Sequence, residues 1–351
     1  MIERIHPARR ARGRRSTGRG GATSGRVAVA IVVVIATAIA TVTATALAQP
    51  CAHAGDLAAA RQARERIAAA GGVVWPGWND PAPVLLRSGS GDCLVDHPDP
   101  PAGFELVGPG VQRRDGHLLP VPAATAWPVN DVWSVAIPAQ DELQAFLDEH
   151  LGAGAVEIDA ALYERAIVHE AFHAFQMTVL GGPDAMPTMG AERPGETLAA
   201  LSDDAAADAA HDAIGAALSA ALDAGTADEA LAALTDFTER RDAWWARAPA
   251  GVPGMERHLE WLEGTARYAD VLIGVGAGGA DVSAAAWRDL REQVAHPTAI
   301  VSGLRDRYAA FGAAQAFVLD RWAPGWKARA LPGGTSLDAL IRSLASDLAG
   351  S

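Results

Sequence analysis

The chain has 351 residues, half of them apolar, and a formal charge of −13. Residues 1–48 hold eight Arg and one Glu, which leaves 21 basic and 41 acidic residues from position 49 onward, a formal −20. So acidic a body, with Lys327 as its single Lys, has no basic face and weighs against a nucleic-acid partner. All ten Trp lie in that body, and about 300 residues this apolar bury a large core, which excludes disorder for most of the chain.

Seven Arg between Arg9 and Arg26 precede an uncharged Val/Ile/Ala/Thr run over residues 27–48 that ends in Ala46-Leu47-Ala48. This is the layout of a signal peptide cleaved after Ala48. An uncleaved anchor over residues 27–48 is the alternative, since 22 apolar residues can span a bilayer. Either way the basic end stays inside, and the body is expected to be secreted or extracytoplasmic, in the periplasm or at the cell surface. Pro50 before Cys51 rules against a lipoprotein site. Cys51 and Cys93 are the only cysteines, and in an oxidising compartment such a pair is expected to form a disulfide. Closing that loop stabilises the fold by roughly 3–4 kcal/mol on the chain-entropy model.

Residues 56–70 have helical character and run into Gly71-Gly72, a C-terminal stop signal. From Val73 to Ala139 the texture changes to recurrent Pro and Gly with short β-type runs at 84–86, 104–107 and 132–137. The Trp-bearing stretch around Trp127 and Trp133 reads as core, and Val132–Ile137 as an edge strand able to pair with a peptide. From Gln140 the chain is Ala-rich and helical in period, with helices expected over 141–150, 160–180, 203–224, 227–248, 255–273, 284–294, 308–321 and 336–348. The expected fold class is therefore α+β. Residues 1–48 form the leader, 49–139 a small, irregular β-rich region, and 140–351 a mainly helical region.

The helix over 160–180 carries His169-Glu170-Ala171-Phe172-His173, the pattern H-E-x-x-H. Residues four apart share a helix face, so both imidazoles can bind one metal, and Glu170 lies beside the first of them, placed to take a proton from an activated water. Ile167, Val168, Phe172, Phe175 and Met177 flank the motif, so the helix is expected to be buried rather than a solvated polar face. A catalytic zinc needs a third ligand. No H-E-x-x-H-x-x-G-x-x-H extension follows, Gln176 standing where its glycine would be, so the third ligand comes from elsewhere. In Glu256 to Tyr268 and just beyond, Glu260, Glu263, Arg267 and Asp270 fall within about 80° on one helical face. Gly264 there removes a side chain and lets another helix approach.

H-E-x-x-H followed by E-G-x-A-x-Y (Glu263-Gly264-Thr265-Ala266-Arg267-Tyr268) resembles the glutamate-ligand zinc metallopeptidases, the gluzincins. Within that group it resembles exported bacterial proteins with a short sheet, a zinc helix, a helical insert and an E-x-x-E-G-x-A-x-Y helix. The resemblance implies His169, His173 and Glu263 as zinc ligands and Glu170 as general base. It covers residues 160–180 and 256–270. Two departures stand out: 89 residues separate His173 from Glu263, and Trp261-Leu262 directly precede the glutamate, which leaves Glu260 as an alternative ligand.

Tyr268 lies about 140° from Glu263 around the helix and reads as a packing residue. Tyr308, His258 and Arg267 remain candidates for transition-state contacts, with Arg267 better suited to orienting a carboxylate. His211 and His296 read as surface residues.

The expected function is an exported zinc peptidase acting on a peptide or protein substrate. One alternative is a secreted zinc-binding protein without catalysis. The other is a di-iron carboxylate protein, which needs a second Glu-x-x-His helix and finds only Asp208-x-x-His211. The cysteine reading has a direct check: mass analysis of unreduced peptides from the exported protein should show Cys51 joined to Cys93, and two free thiols would refute it.

Overall fold

The computed structural model describes residues 53–351 except 90, 120–123, 191–196, 198–200, 202–203, 298–303 and 351, with side chains undescribed over 275–286 and at 304. The leader, with its cleavage site and membrane-tether reading, and Cys51 lie outside the described residues. Among the described residues no helix is long and apolar enough to cross a membrane.

The order is α1 (Ala54–Val74), β1 (Val84–Ser88), β2 (Gly91–Val95), β3 (Glu105–Gly108), β4 (Val111–Asp115), β5 (Thr125–Val129), β6 (Val132–Pro138), α2 (Gln140–Leu151) and α3 (Ala160–Leu180). Then follow α4 (Ala205–Asp223), α5 (Ala227–Trp245), α6 (Val252–Ala295), α7 (Leu304–Trp322), α8 (Trp326–Ala330) and α9 (Leu337–Ala349). A six-stranded sheet ordered β3-β4-β2-β1-β6-β5 precedes a helical body, so the fold is α+β. All strand pairs are antiparallel except β1 with β6, whose register sets Val84 beside Val135.

The pleat explains why the short strands suffice. Val84, Leu86, Cys93, Val95, Val135 and Ile137 face α1 and α3 in the main core, while Leu85, Leu94 and Ala136 face a smaller cluster with Leu119 and Val129 on the other side. Central strands buried on both faces lose the alternation that marks a half-exposed strand. The change of texture at residue 139 does not interrupt the core, because sheet residues and helices share one apolar cluster.

Four readings are corrected. The stop at Gly71-Gly72 is not used: α1 continues to Val74, and a Cβ at Gly71 would meet the Trp78 carbonyl at 2.2 Å, so the glycine serves close packing. Val132–Ile137 is not an edge, since β6 lies between β1 and β5, and the edge strands are β3 and β5. Trp127 is exposed and Trp133 only half-buried, because both stand on this outer hairpin, whereas Trp75, Trp78, Trp244 and Trp261 fill the core. The helices expected at 255–273 and 284–294 are one element, α6.

Two attachments place α3. The Tyr163 hydroxyl donates to the Pro138 carbonyl at 2.8 Å, tying its first turn to the end of β6. Phe172 meets Trp75 and Trp78 edge-on, with ring centroids 5.1 and 5.0 Å apart. Asp159 caps the helix by accepting from Leu162 N, and Gly181 at φ 79° ends it in the left-handed conformation. The close approach expected at Gly264 is present. An added Cβ there would lie 2.4 Å from Gly312 Cα, and one at Gly312 would lie 2.1 Å from the Glu260 carbonyl oxygen, so α6 and α7 cross backbone against backbone.

Gly264→Ala should therefore force the two helices apart and lower stability by about 1–3 kcal/mol, as overpacking does. Chemical denaturation reads this as a lower midpoint at unchanged slope; an unchanged midpoint would show that the crossing yields freely.

Candidate metal centre

His169 and His173 stand one turn apart on α3, and Glu263 faces them from α6. The Nε2 atoms of the two imidazoles are 3.1 Å apart, and each is 3.3 Å from Glu263 Oε2. The three form the one group of potential ligands of this kind among the described residues. Tetrahedral zinc bonds of about 2.0–2.1 Å require donor atoms about 3.3–3.4 Å apart. The observed triangle fits that requirement.

The surrounding hydrogen bonds determine what these atoms carry. His169 Nδ1 lies 3.1 Å from Asp270 Oδ2. Burial pushes the Asp270 carboxyl up, but Arg267, Arg165 and His169 outweigh it and hold it at about 2, so it is ionised and accepts the Nδ1 proton. His173 Nδ1 lies 2.7 Å from Gln176 Oε1. The orientation of that amide follows from its partners. Thr265 donates its hydroxyl to the Trp261 carbonyl at 2.7 Å, so its oxygen accepts from Gln176 Nε2 at 2.8 Å, and Nε2 also donates to the Leu262 carbonyl. Gln176 therefore presents its oxygen to His173, and His173 Nδ1 is protonated. With both Nδ1 atoms donating, the two neutral rings direct Nε2 lone pairs at a carboxylate oxygen. Three acceptors converging within a buried site call for a cation between them.

Without a metal a proton serves that role. Burial lowers the affinity of His169 for a proton, but hydrogen bonds from Asp270 and Glu263 prevail and raise its pKa to about 10. Glu263 is shifted the other way: burial opposes ionisation, yet Arg305 and the two histidines hold its carboxyl well below the usual range. Arg305, at the start of α7, lies 3.1 Å from Glu263 Oε1 through Nε and also meets it through Nη2.

Glu170 is half-buried and makes no hydrogen bond or ion pair with the described residues. It is nevertheless close enough to act electrostatically on both His169 and Arg305. The structure thus brings together His169, Glu170, His173 and Glu263. Glu260 is turned elsewhere: it is buried against Arg241 and accepts from Gln315 Nε2 at 3.0 Å. Glu260 and Asp270 mark opposite ends of the 80° arc, and α6 has neighbours on both sides, so the shared face divides between them.

The remaining candidates sort by contact. Arg267 orients a carboxylate as expected, lying 3.7 Å from Asp270, with Arg165 at 3.2 Å on its other oxygen. Tyr268 packs against Trp75, Phe317 and Trp326, far around the helix. Tyr308 is buried beside His211 and Glu256, away from the ligand triangle. His258 donates from Nδ1 to the Pro187 carbonyl at 3.1 Å. His296 is exposed, but His211 is fully buried, which corrects its surface reading. Arg307 donates to His211 Nδ1, and Nε2 donates to Glu256 at 2.9 Å. Both ring nitrogens are spent on the protein, so the Asp208-x-x-His211 helix offers no second metal position and the di-iron reading loses its requirement.

Sequence reasoning left out Gln176, Thr265, Arg165 and Arg305 as parts of the site. Gln176 carried a usable signal, since it lies three residues after His173 on the same face. Arg305 carried none, being 42 residues from Glu263. No protein-family model, no curated protein and no solved structure matches the chain.

A proton that stands in for a cation must leave when the cation enters. The His169 pKa in the folded, metal-free protein is above the ordinary 6.5, so its stabilising effect is complete below pH 6.5 and disappears as pH rises towards 10. Metal uptake at pH 8 should release close to one proton per ion, read by calorimetry in buffers of different ionisation enthalpy. Uptake with no proton release would contradict this description of the site.

Proposed function

We propose that this protein is an exported zinc-dependent peptidase. The observation that carries the reading is the convergence of two Nε2 lone pairs and the Glu263 carboxylate, beside Glu170, whose carboxylate has no partner among the described residues. Two imidazoles and one carboxylate are a donor set suited to zinc, and three protein ligands leave one position for chemistry. The sequence adds the leader and the resemblance to glutamate-ligand metallopeptidases over residues 160–180 and 256–270.

Zinc, when bound, supplies Lewis-acid polarisation of the scissile carbonyl and makes water acidic enough to attack it at neutral pH. The chain supplies the rest. His169, His173 and Glu263 hold the ion, and Asp270 and Gln176 fix both rings in the tautomer that binds it. Glu170 accepts the proton that the attacking water loses and passes it to the leaving amine as the C–N bond breaks. With no partner among the described residues, the carboxylate is available for both transfers. Arg165 and Arg267 keep Asp270 ionised, so the His169 ring stays oriented while charge develops beside it.

The purified exported protein loaded with zinc should hydrolyse members of a peptide library. Glu170→Gln should keep zinc and fold but lose activity by about two to four orders of magnitude, since the amide cannot take up the proton. Glu263→Gln should lose zinc and activity together, while Glu260→Gln should leave zinc content unchanged. A zinc-loaded protein that cleaves no peptide would favour the non-catalytic zinc-binding alternative.

A further inference from the structure

Nearly every polar group around the three converging atoms has its hydrogen bonding taken up inside the fold. Arg165 and Arg267 are turned onto Asp270. Gln176 is used at both its oxygen and its nitrogen. His258 spends its Nδ1 proton on Pro187, and burial lowers its pKa, so the neutral ring has no donor left. Among the described residues the groups that keep capacity for a bound molecule are the acceptors Glu170 and His258 Nε2 and the donor Arg305.

Arg305 has an unusual position. It touches the outer oxygen of Glu263 through one edge of its guanidinium, yet 61 % of its side chain is exposed. The group is planar with five N–H donors in a fixed fork. Nε and one Nη2 hydrogen point at Glu263, which directs Nη1 and the second Nη2 hydrogen away from it. Arg305 and Glu170 also act on each other electrostatically, so the guanidinium charge stands near the Glu170 carboxylate. It lies in the first turn of α7, where the positive end of the helix dipole adds to its charge. In a body with a formal −20 this makes a local cationic position beside two carboxylates.

The geometry points to Arg305 as the residue that recognises a free carboxylate on the substrate, so that the site removes residues from the C-terminal end of peptides. This deepens the peptidase reading and rests on it. Two parallel N–H groups match the two oxygens of a carboxylate, whereas a carbonyl oxygen needs one. Without Arg305, Glu170 and the acidic body would repel that terminus.

The test compares one acetylated peptide with a free C-terminus against its C-terminal amide, on the zinc-loaded full protein and on Arg305→Gln and Arg305→Lys, with zinc content measured for each. The wild type should prefer the free acid by about 10- to 100-fold in kcat/KM, the range expected of a charge-assisted pair, and release the last residue first. Arg305→Gln should bring the ratio to about one while zinc stays bound. Arg305→Lys, which keeps a charge on Glu263 but loses the fork, should give an intermediate ratio, and it serves as the readout if Gln loosens the metal. Equal cleavage of acid and amide by the wild type, or a preference unchanged in Arg305→Gln, overturns the inference. So does an Arg305→Gln variant slowed alike on both peptides, which would place Arg305 on the carbonyl oxygen or in a structural role. Calorimetric binding of the same two peptides to zinc-loaded Glu170→Gln, with and without Arg305→Gln, separates the two readings. If nothing is hydrolysed but the acid binds more tightly than the amide only where Arg305 is present, the peptidase reading fails and carboxylate recognition stands. Equal binding of acid and amide there removes carboxylate recognition.

Discussion

Two imidazole lone pairs and a carboxylate oxygen held about 3 Å apart repel one another unless a positive charge lies between them. The surrounding structure maintains that arrangement. Asp270 and Gln176 fix the ring tautomers, and both depend on α6: Asp270 lies on it, and Gln176 is held by the Leu262 carbonyl and Thr265 of the same helix. The backbone contact between Gly264 and Gly312 sets where α6 lies against α7, and therefore where Glu263 lies against α3. On the other side, Tyr163, Phe172 and the sheet fix α3. Displacement of either helix by an ångström would open the ligand triangle, which explains why a peripheral glycine and a buried amide belong to the same functional unit as the histidines.

The helical insert between the two halves of the site braces α6 about two turns before Glu263. Glu256, one end of that brace, accepts from His211 of α4 and from Trp244 and Trp245 of α5. Burial opposes its ionisation, but His211 and Arg241 more than compensate, and its carboxyl is lowered. Glu260, one turn further on, pairs with Arg241, yet burial prevails there and its pKa rises to about 6. Buried ion pairs of this kind are poor sources of net stability, because desolvation consumes most of the attraction. Their effect is positional: each buried carboxylate on α6 is satisfied only where its own set of partners lies, so the helix has one acceptable rotation about its axis. That rotation sends Glu260 to the brace and Glu263 to the histidines.

Much of this protein was legible in the sequence. The α+β class, the helix at 160–180, the pairing of His169 with His173, the role of Gly264 in a close helix approach and the packing role of Tyr268 followed from periodicity, residue spacing and side-chain volume. These are local quantities, fixed within a few helical turns, so the order of residues along the chain determines them. The strands β2, β4 and β5 were less visible, because strands buried on both faces or rich in charge lack the two-residue alternation.

Only the tertiary structure turned Glu263 rather than Glu260 towards the histidines, moved the sheet edge from β6 to β5, and buried His211. It also brought Arg305 to the far oxygen of Glu263 across 42 residues of chain. Each of these depends on which neighbour packs against a given helix or strand face, and no pattern within one element encodes the identity of that neighbour. The donor pair of the H-E-x-x-H helix is therefore carried by its own sequence, while the carboxylate that faces it and that carboxylate's cationic partner result from how separate helices cross.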